Sequence, residues 1–315
     1  MKKNIFLIIC SISLLYFILN FNNIDVAKFD IFKVETFFIV IFFTLILIFL
    51  NTIRLYLISE KILKIRFIEY LYFSLTSFVF NVLSFSGTGE LVKYYLLSNK
   101  LKKKDDIFTF FILEKVYGLA SIFILASTII SFYFFEKNQS IILLLFIFFS
   151  IILFNKNNFF LKKIPYLNYL NFSLSNINNN INKFLILLVS LLIHIIYILK
   201  LFIIITFVYK SNSDYIVIIM LILVVLIMNS IPITYSGFGA REFSIILVGS
   251  FEYFDKFAAI NSILSLGVHT YLIAIIIFFI LLIILKKTYK IDLLGTLFSK
   301  KIIKGRIKKI GKNQL

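Results

Sequence analysis

Two breaks at matching places in an otherwise apolar chain limit what it can fold into. Ser84-Phe85-Ser86-Gly87-Thr88-Gly89-Glu90 and Thr234-Tyr235-Ser236-Gly237-Phe238-Gly239-Ala240-Arg241-Glu242 each hold a Ser-Gly-x-Gly knot and a glutamate. Each knot runs straight into a short apolar stretch, and Gly87 and Gly89 precede Gly237 and Gly239 by about 150 positions. In lipid an unpaired backbone group costs several kcal/mol, so non-helical backbone persists there only inside protein or beside a wet cavity. Paired interruptions in corresponding halves are the sequence pattern of a transporter-like binding site.

The surrounding sequence leaves little room for anything but a membrane protein. Of the 315 residues, 61% are hydrophobic, against roughly 45–50% in soluble domains. Apolar runs that match a ~30 Å hydrocarbon core recur along the chain. The fold class expected is all-α and polytopic, with about 7–8 transmembrane helices and re-entrant or broken helices at the two knots. The run over 4–20 follows Lys2 and Lys3 without an Ala-x-Ala cleavage site, so it reads as a retained helix. A lone Cys10 gives no disulfide framework or thiolate metal site. The +18 net charge fits lysines gathered in cytoplasmic loops rather than nucleic-acid binding.

Charge placement orders the segments. The loop with Asp25, Asp30 and Glu35 reads as external, and 37–58 then returns to Arg54, Lys61, Lys64 and Arg66 on the inner side. The stretch 70–97 has basic flanks at both ends, which predicts a re-entrant hairpin turning at the first knot. Runs 107–135 and 140–154 follow, then a polar cytoplasmic linker, 156–183. The second half has runs 184–209 and 215–231, the knot after Pro232, and a last run, 257–285, with a possible break at Gly267. The domain reading is one transmembrane unit, 1–290, with pseudo-repeats 1–155 and 184–290, and a basic tail, 291–315. Both termini read as cytoplasmic in the cell (inner or plasma) membrane, and charge alone leaves parallel and inverted halves open. The tail, with Lys300, Lys301, Lys304 and Arg306 among apolar residues, suits anionic inner-leaflet lipids.

Charges inside apolar runs mark the candidate site. Glu90, Lys93, Glu114 and Lys115 would cost on the order of 10 kcal/mol if unpaired in hydrocarbon, so they pair or line a hydrated cleft. Glu90 and Lys93 stand three apart on one side of the helix that follows Gly89. Ser86 or Thr88 is placed to cap that helix; Ser236 and Gly239 open its counterpart, which carries Arg241 and Glu242. A buried helix N-terminus beside a guanidinium suits an anion, above all a phosphate. The lipid-phosphate set is therefore Ser86, Gly87, Gly89, Lys93, Ser236, Gly237, Gly239 and Arg241, and the buried pairing set is Glu90, Glu114, Lys115 and Glu242. The competing explanation is that the charges form packing salt bridges and the glycines only permit close helix approach. Arg54 reads as snorkelling to the inner boundary. His194 reads as a hydrogen-bond donor within the bundle, His269 as opening a helix, and Lys200 as lying on a different face from His194.

At these residues the chain resembles the flippase-like transmembrane domain of lysylphosphatidylglycerol synthases, which also occurs as a stand-alone protein. The resemblance rests on Gly87-Thr88-Gly89-Glu90-Leu91-Val92-Lys93, on Glu114-Lys115, and on Ile231-Pro232-Ile233 through Gly237-Phe238-Gly239-Ala240-Arg241-Glu242. Lys93 and Lys115 stand where that family tends to carry arginine, and lysine meets phosphate as a point charge rather than a fork. The resemblance implies a lipid-translocating unit without the soluble aminoacyl-transfer domain, acting on a membrane lipid or polyprenyl-linked substrate. No cofactor or metal is called for, since neither a His-rich nor an Asp-rich ligand pattern occurs. Two other classes stay open: a membrane-embedded transferase with Glu90 or Glu242 as base, and a non-catalytic subunit that positions a separate glycosyltransferase.

Overall fold

The computed structural model describes residues 30–63, 65–84, 87–98, 105–133, 183–230, 240–248 and 254–289. All regular structure among them is helical. In order these are α1 (Val34–Leu63), α2 (Phe67–Leu83), α3 (Thr88–Ser98), α4 (Asp105–Tyr133) and α5 (Lys183–Ile203). A π-helical turn (Ile204–Val208) extends α5, and α6 (Tyr215–Ser230), α7 (Ala240–Val248) and α8 (Lys256–Tyr289) follow. Three of them, over Val34–Ser59, Phe184–Val208 and Lys256–Ile283, are long and apolar enough to cross a membrane. The runs at 4–20 and 140–154, the linker and the basic tail lie outside the described residues.

On two of the long helices large apolar side chains form an outward stripe, while small and polar ones share the interior with buried aliphatic residues. On α1, Phe38, Phe42, Leu45 and Phe49 form an exposed stripe, whereas Thr36, Val40, Thr44 and Thr52 are buried. On α8, Leu272, Ile276, Phe279 and Ile283 are exposed, whereas Ala258, Asn261, Ser262 and Ser265 are buried. In lipid the interior needs close packing and satisfied polar groups rather than extra hydrophobicity, so small residues take the helix contacts. Two of the inward hydroxyls are answered locally: Thr52 Oγ1 donates to the Ile48 carbonyl at 2.8 Å and Ser262 Oγ to Ala258 at 2.7 Å.

Polar contacts gather one end of the bundle. Lys33 Nζ donates to the Val208 carbonyl at 3.1 Å and lies 4.6 Å over the Tyr209 ring, while the Tyr209 hydroxyl donates to the Asp30 carbonyl. The start of α1 therefore sits beside the end of α5. As a helix of 30 residues, α1 runs for about 45 Å, so Leu63 and the start of α2 lie at the far end. The start of α6, by contrast, lies at the Tyr209 end. The Asp255 amide donates to Ser213 Oγ at 2.7 Å, so the chain that leaves into α6 has returned by the start of α8. Asp255 then caps α8, its Oδ1 accepting from the Ala258 amide at 3.0 Å.

The other pair of short helices turns back at the first knot. Gly87 has φ +90°, in the left-handed region that favours glycine. Past it, Thr88 Oγ1 donates to the Phe80 carbonyl and α3 lies back along α2. Arg54 stands nine residues from the end of α1, Glu114 nine from the start of α4, and the two side chains meet. The α2–α3 pair thus starts and finishes at the Leu63 end, and the α6–α7 pair at the Tyr209 end. Long helix, two short helices, long helix occurs twice, with equivalent elements about 150 positions apart.

The structure corrects two expectations. Gly267 does not interrupt the last run, because α8 is continuous from Lys256 to Tyr289. A single glycine lacks a cap or a missing donor to stop a helix, and here it is buried against neighbours. His269 consequently lies inside α8 rather than opening a helix; its Nδ1 donates to the Ser265 carbonyl at 2.8 Å.

Close approach of α2 and α3 depends on Gly89. A Cβ there would overlap the Ser77 carbonyl oxygen and lie 2.6 Å from Asn81 Cγ. Gly118 on α4 meets only Arg54 Nη1, at an ordinary 3.6 Å. Gly89→Ala is therefore expected to destabilise the folded protein by about 3 kcal/mol, as overpacking does in well-packed interiors, while Gly118→Ala stays close to wild type. Thermal unfolding in mild detergent checks this.

Candidate functional site

Five charged residues from three helices make one network. The Glu114 carboxylate on α4 accepts from Arg54 Nη2 on α1 at 2.9 Å and from Lys93 Nζ on α3 at 2.7 Å. Lys93 also lies 2.8 Å from Glu90 Oε2, one turn back on α3, and Lys115 Nζ is 4.0 Å from Glu90 Oε1. Arg54, Lys93 and Glu114 are 9%, 7% and 4% exposed. Each cationic stem reaches the same carboxylate, so Glu114 joins three helices through two charge-assisted hydrogen bonds. Asn51 Oδ1 accepts from Arg54 Nη2 at 2.8 Å and fixes the guanidinium further.

Two of the sequence expectations change here. Arg54 does not snorkel; it turns inward to Glu114. Its distance from the helix end is compatible with either direction, and a buried carboxylate attracts it more than the boundary does. Lys115 is not buried: its side chain is 52% exposed and lies over the Phe111 ring at 5.6 Å. Glu114 and Lys115 are neighbours on a helix and so point about 100° apart, which sends one into the network and the other to its rim.

The cap of α3 also differs from the expected one. Thr88 spends its hydroxyl on Phe80, and the Gly89 amide donates instead to Asn81 Oδ1 at 2.9 Å. A side chain of α2 therefore satisfies an amide that would otherwise face an anion, and Gly89 serves close packing. Lys93 is held between two carboxylates. At the first knot the Gly89 amide and the Lys93 ammonium are thus both answered from within the protein. Ser86 lies outside the described residues.

Around the second knot, Ser236, Gly237 and Gly239 lie outside the described residues, as does the side chain of Glu242. Arg241 is placed in the first turn of α7 and is 7% exposed; Ser244 Oγ donates to its backbone carbonyl. Lys200 on α5 is buried as well. Its Nζ stands 4.8 Å from the centre of the Tyr197 ring. The Tyr197 hydroxyl accepts from Asn229 Nδ2 at 2.8 Å, near the end of α6. His194 Nε2 lies 3.2 Å from the Gly118 carbonyl. A carbonyl only accepts, so Nε2 carries the proton and donates, as the sequence suggested.

The two knots do not lie in isolation. Val79 of α2 belongs to the same continuous core as Val225 of α6, Ile245 of α7 and Ile273 of α8. Among the described residues no group of three or more His, Cys, Asp or Glu side chains could hold a metal ion. No known protein family, curated protein or solved structure matches this chain significantly. The likeness to the flippase-like domain therefore stands on the motifs quoted from the sequence alone.

Removing the shared carboxylate should be costly. Glu114→Gln strands two buried cations and is expected to lower stability by about 3–5 kcal/mol. Replacing Arg54, Lys93 and Glu114 together by apolar residues of similar size should recover much of that loss. Chemical denaturation in mixed micelles distinguishes the two variants; equal losses would mean the pairing is not what matters.

Proposed function

We propose that this protein binds a phospholipid or lipid-linked phosphate of the cell envelope within the membrane and carries its headgroup between leaflets. The observation that carries the reading is Arg241, a buried guanidinium in the first turn of a short helix that follows a glycine break. A helix start presents unpaired amides and a positive dipole end, and arginine adds a planar fork of donors that fits phosphate. In hydrocarbon such a charge is retained at a cost of several kcal/mol, which favours a functional role.

The arrangement of the two hairpins supports a transport role. They enter from opposite ends of the bundle and share one core, the geometry in which one half rocks against the other around a central site. By the positive-inside rule the Leu63 end, with the α2–α3 pair, faces the cytoplasm. Phosphate is held at the second knot by Arg241 with Ser236, Gly237 and Gly239. Glu114 and Glu90 exchange their partners among Arg54, Lys93 and Lys115 as the cleft opens, and Glu242 does the same beside Arg241. Glu90 is already engaged by Lys93, which makes it a poor free base and weakens the transferase alternative. No cofactor is invoked.

Reconstitution in sealed vesicles with a headgroup-labelled lipid tests the proposal. Arg241→Ala is expected to slow headgroup movement about tenfold or more, since a charge-assisted phosphate contact is worth roughly 1.5–3 kcal/mol. Glu90→Ala should slow it too, by removing one of the two carboxylates that hold Lys93, while Lys256→Ala should leave it unchanged. Wild-type rates in both Arg241→Ala and Glu90→Ala would overturn the assignment.

A further inference from the structure

Lys115 is where the charge network of the first half reaches the surface. Among the described residues, Arg54, Lys93 and Lys115 bring three positive charges to it and Glu90 and Glu114 two negative ones, so one cation is in excess. Arg54 and Lys93 are buried and hydrogen-bonded to Glu114. Lys115 has the loosest hold: its side chain is 52% exposed and its Nζ is 4.0 Å from Glu90 Oε1. Glu90 is itself closer to Lys93, at 2.8 Å, which answers its carboxylate. The Phe111 ring, 5.6 Å from the Lys115 ammonium, adds only a weak attraction. The unanswered charge is therefore presented at Lys115, on the outside of the bundle.

The surface around it is apolar. Leu119, one turn further along α4, is exposed, as are Leu91, which follows Glu90 on α3, and Tyr95 one turn beyond. Glu114, next to Lys115, meets Arg54, which stands five residues inside the end of the apolar span Val34–Ser59. That places the Lys115 backbone about 8 Å inside the span. Its stem lies over Phe111, one turn back towards the start of α4, and so leans towards the Leu63 end. In this way a lysine brings its charge to the level of lipid phosphates. We infer that Lys115 and the outward side of α3 and α4 form a docking site for an anionic phospholipid of the adjoining leaflet. The phosphate supplies the missing negative charge, and the acyl chains lie along Leu91, Tyr95 and Leu119. Phosphatidylcholine carries its own cation beside its phosphate and answers the excess charge less well. This site goes beyond the one proposed at the second knot and does not rest on it.

The chain has no tryptophan, so Leu119→Trp in the full-length protein reports on this face alone. Its fluorescence is measured in phosphatidylcholine vesicles that contain equal fractions of chain-brominated phosphatidylglycerol or chain-brominated phosphatidylcholine as quencher. Quenching is expected to show about a fivefold local preference for phosphatidylglycerol, the worth of one lysine near a lipid surface. Lys115→Gln should remove the preference and Lys115→Arg should keep it, whereas Arg241→Ala should leave it as it is. Equal quenching by the two lipids, or a preference that survives Lys115→Gln, overturns the inference. So does an equal fall at Ile276→Trp on the lipid-facing side of α8, since Lys115 would then act only through the overall surface charge. Excess inorganic phosphate at constant ionic strength should not displace the lipid; if it does, the site takes free phosphate and the lipid assignment falls.

Discussion

Hydrocarbon offers no partner to a polar group, and the internal architecture of this protein follows from that. Each buried charge or amide must be answered by another part of the chain. Glu114 answers two cations at once and so ties α1, α3 and α4 together. Asn81 answers the Gly89 amide at the break between α2 and α3. The inward hydroxyls of Thr52, Ser59 and Ser262 return to carbonyls one turn back. The apolar side chains, which a soluble protein would bury, are free to face lipid, and many of the largest do.

The two halves solve the same problem differently. In the first, carboxylates, an asparagine and a glycine close the break from within the protein, and the one cation left at the rim is Lys115. In the second, Lys200 of α5 and Arg241, in the first turn of the nine-residue α7, are both buried. A shared order of elements thus need not mean shared duty. The first half has the character of a clasp, the second that of a seat. In the proposed function the second half holds the ligand and the first changes partners as the halves shift.

The sequence made the helices legible but not the contacts that give them meaning. Continuous apolar runs mark α1, α4, α5 and α8 to within a few residues, because periodicity and length are local properties. The turn at Gly87 was legible for the same reason, as was the pairing of Glu90 with Lys93 one turn apart. Arg54 was not, because its partner is 60 positions away and nothing local says which way a long side chain turns. Asn81 was missed as a cap, since an asparagine inside an apolar run carries no signal of the amide it will meet. The single glycine at Gly267 was weighted too heavily, since packing in the bundle overrides its low helix propensity.

The central claim is that the two hairpins enter the bundle from opposite ends. Single cysteines placed at Arg66, Ser98, Asn212 and Lys256 in a Cys10→Ser background, probed with an impermeant maleimide in sealed vesicles, test it most directly. Arg66→Cys and Ser98→Cys should label from one side, and Asn212→Cys and Lys256→Cys from the other. Labelling of Ser98→Cys and Asn212→Cys from the same side would contradict the account.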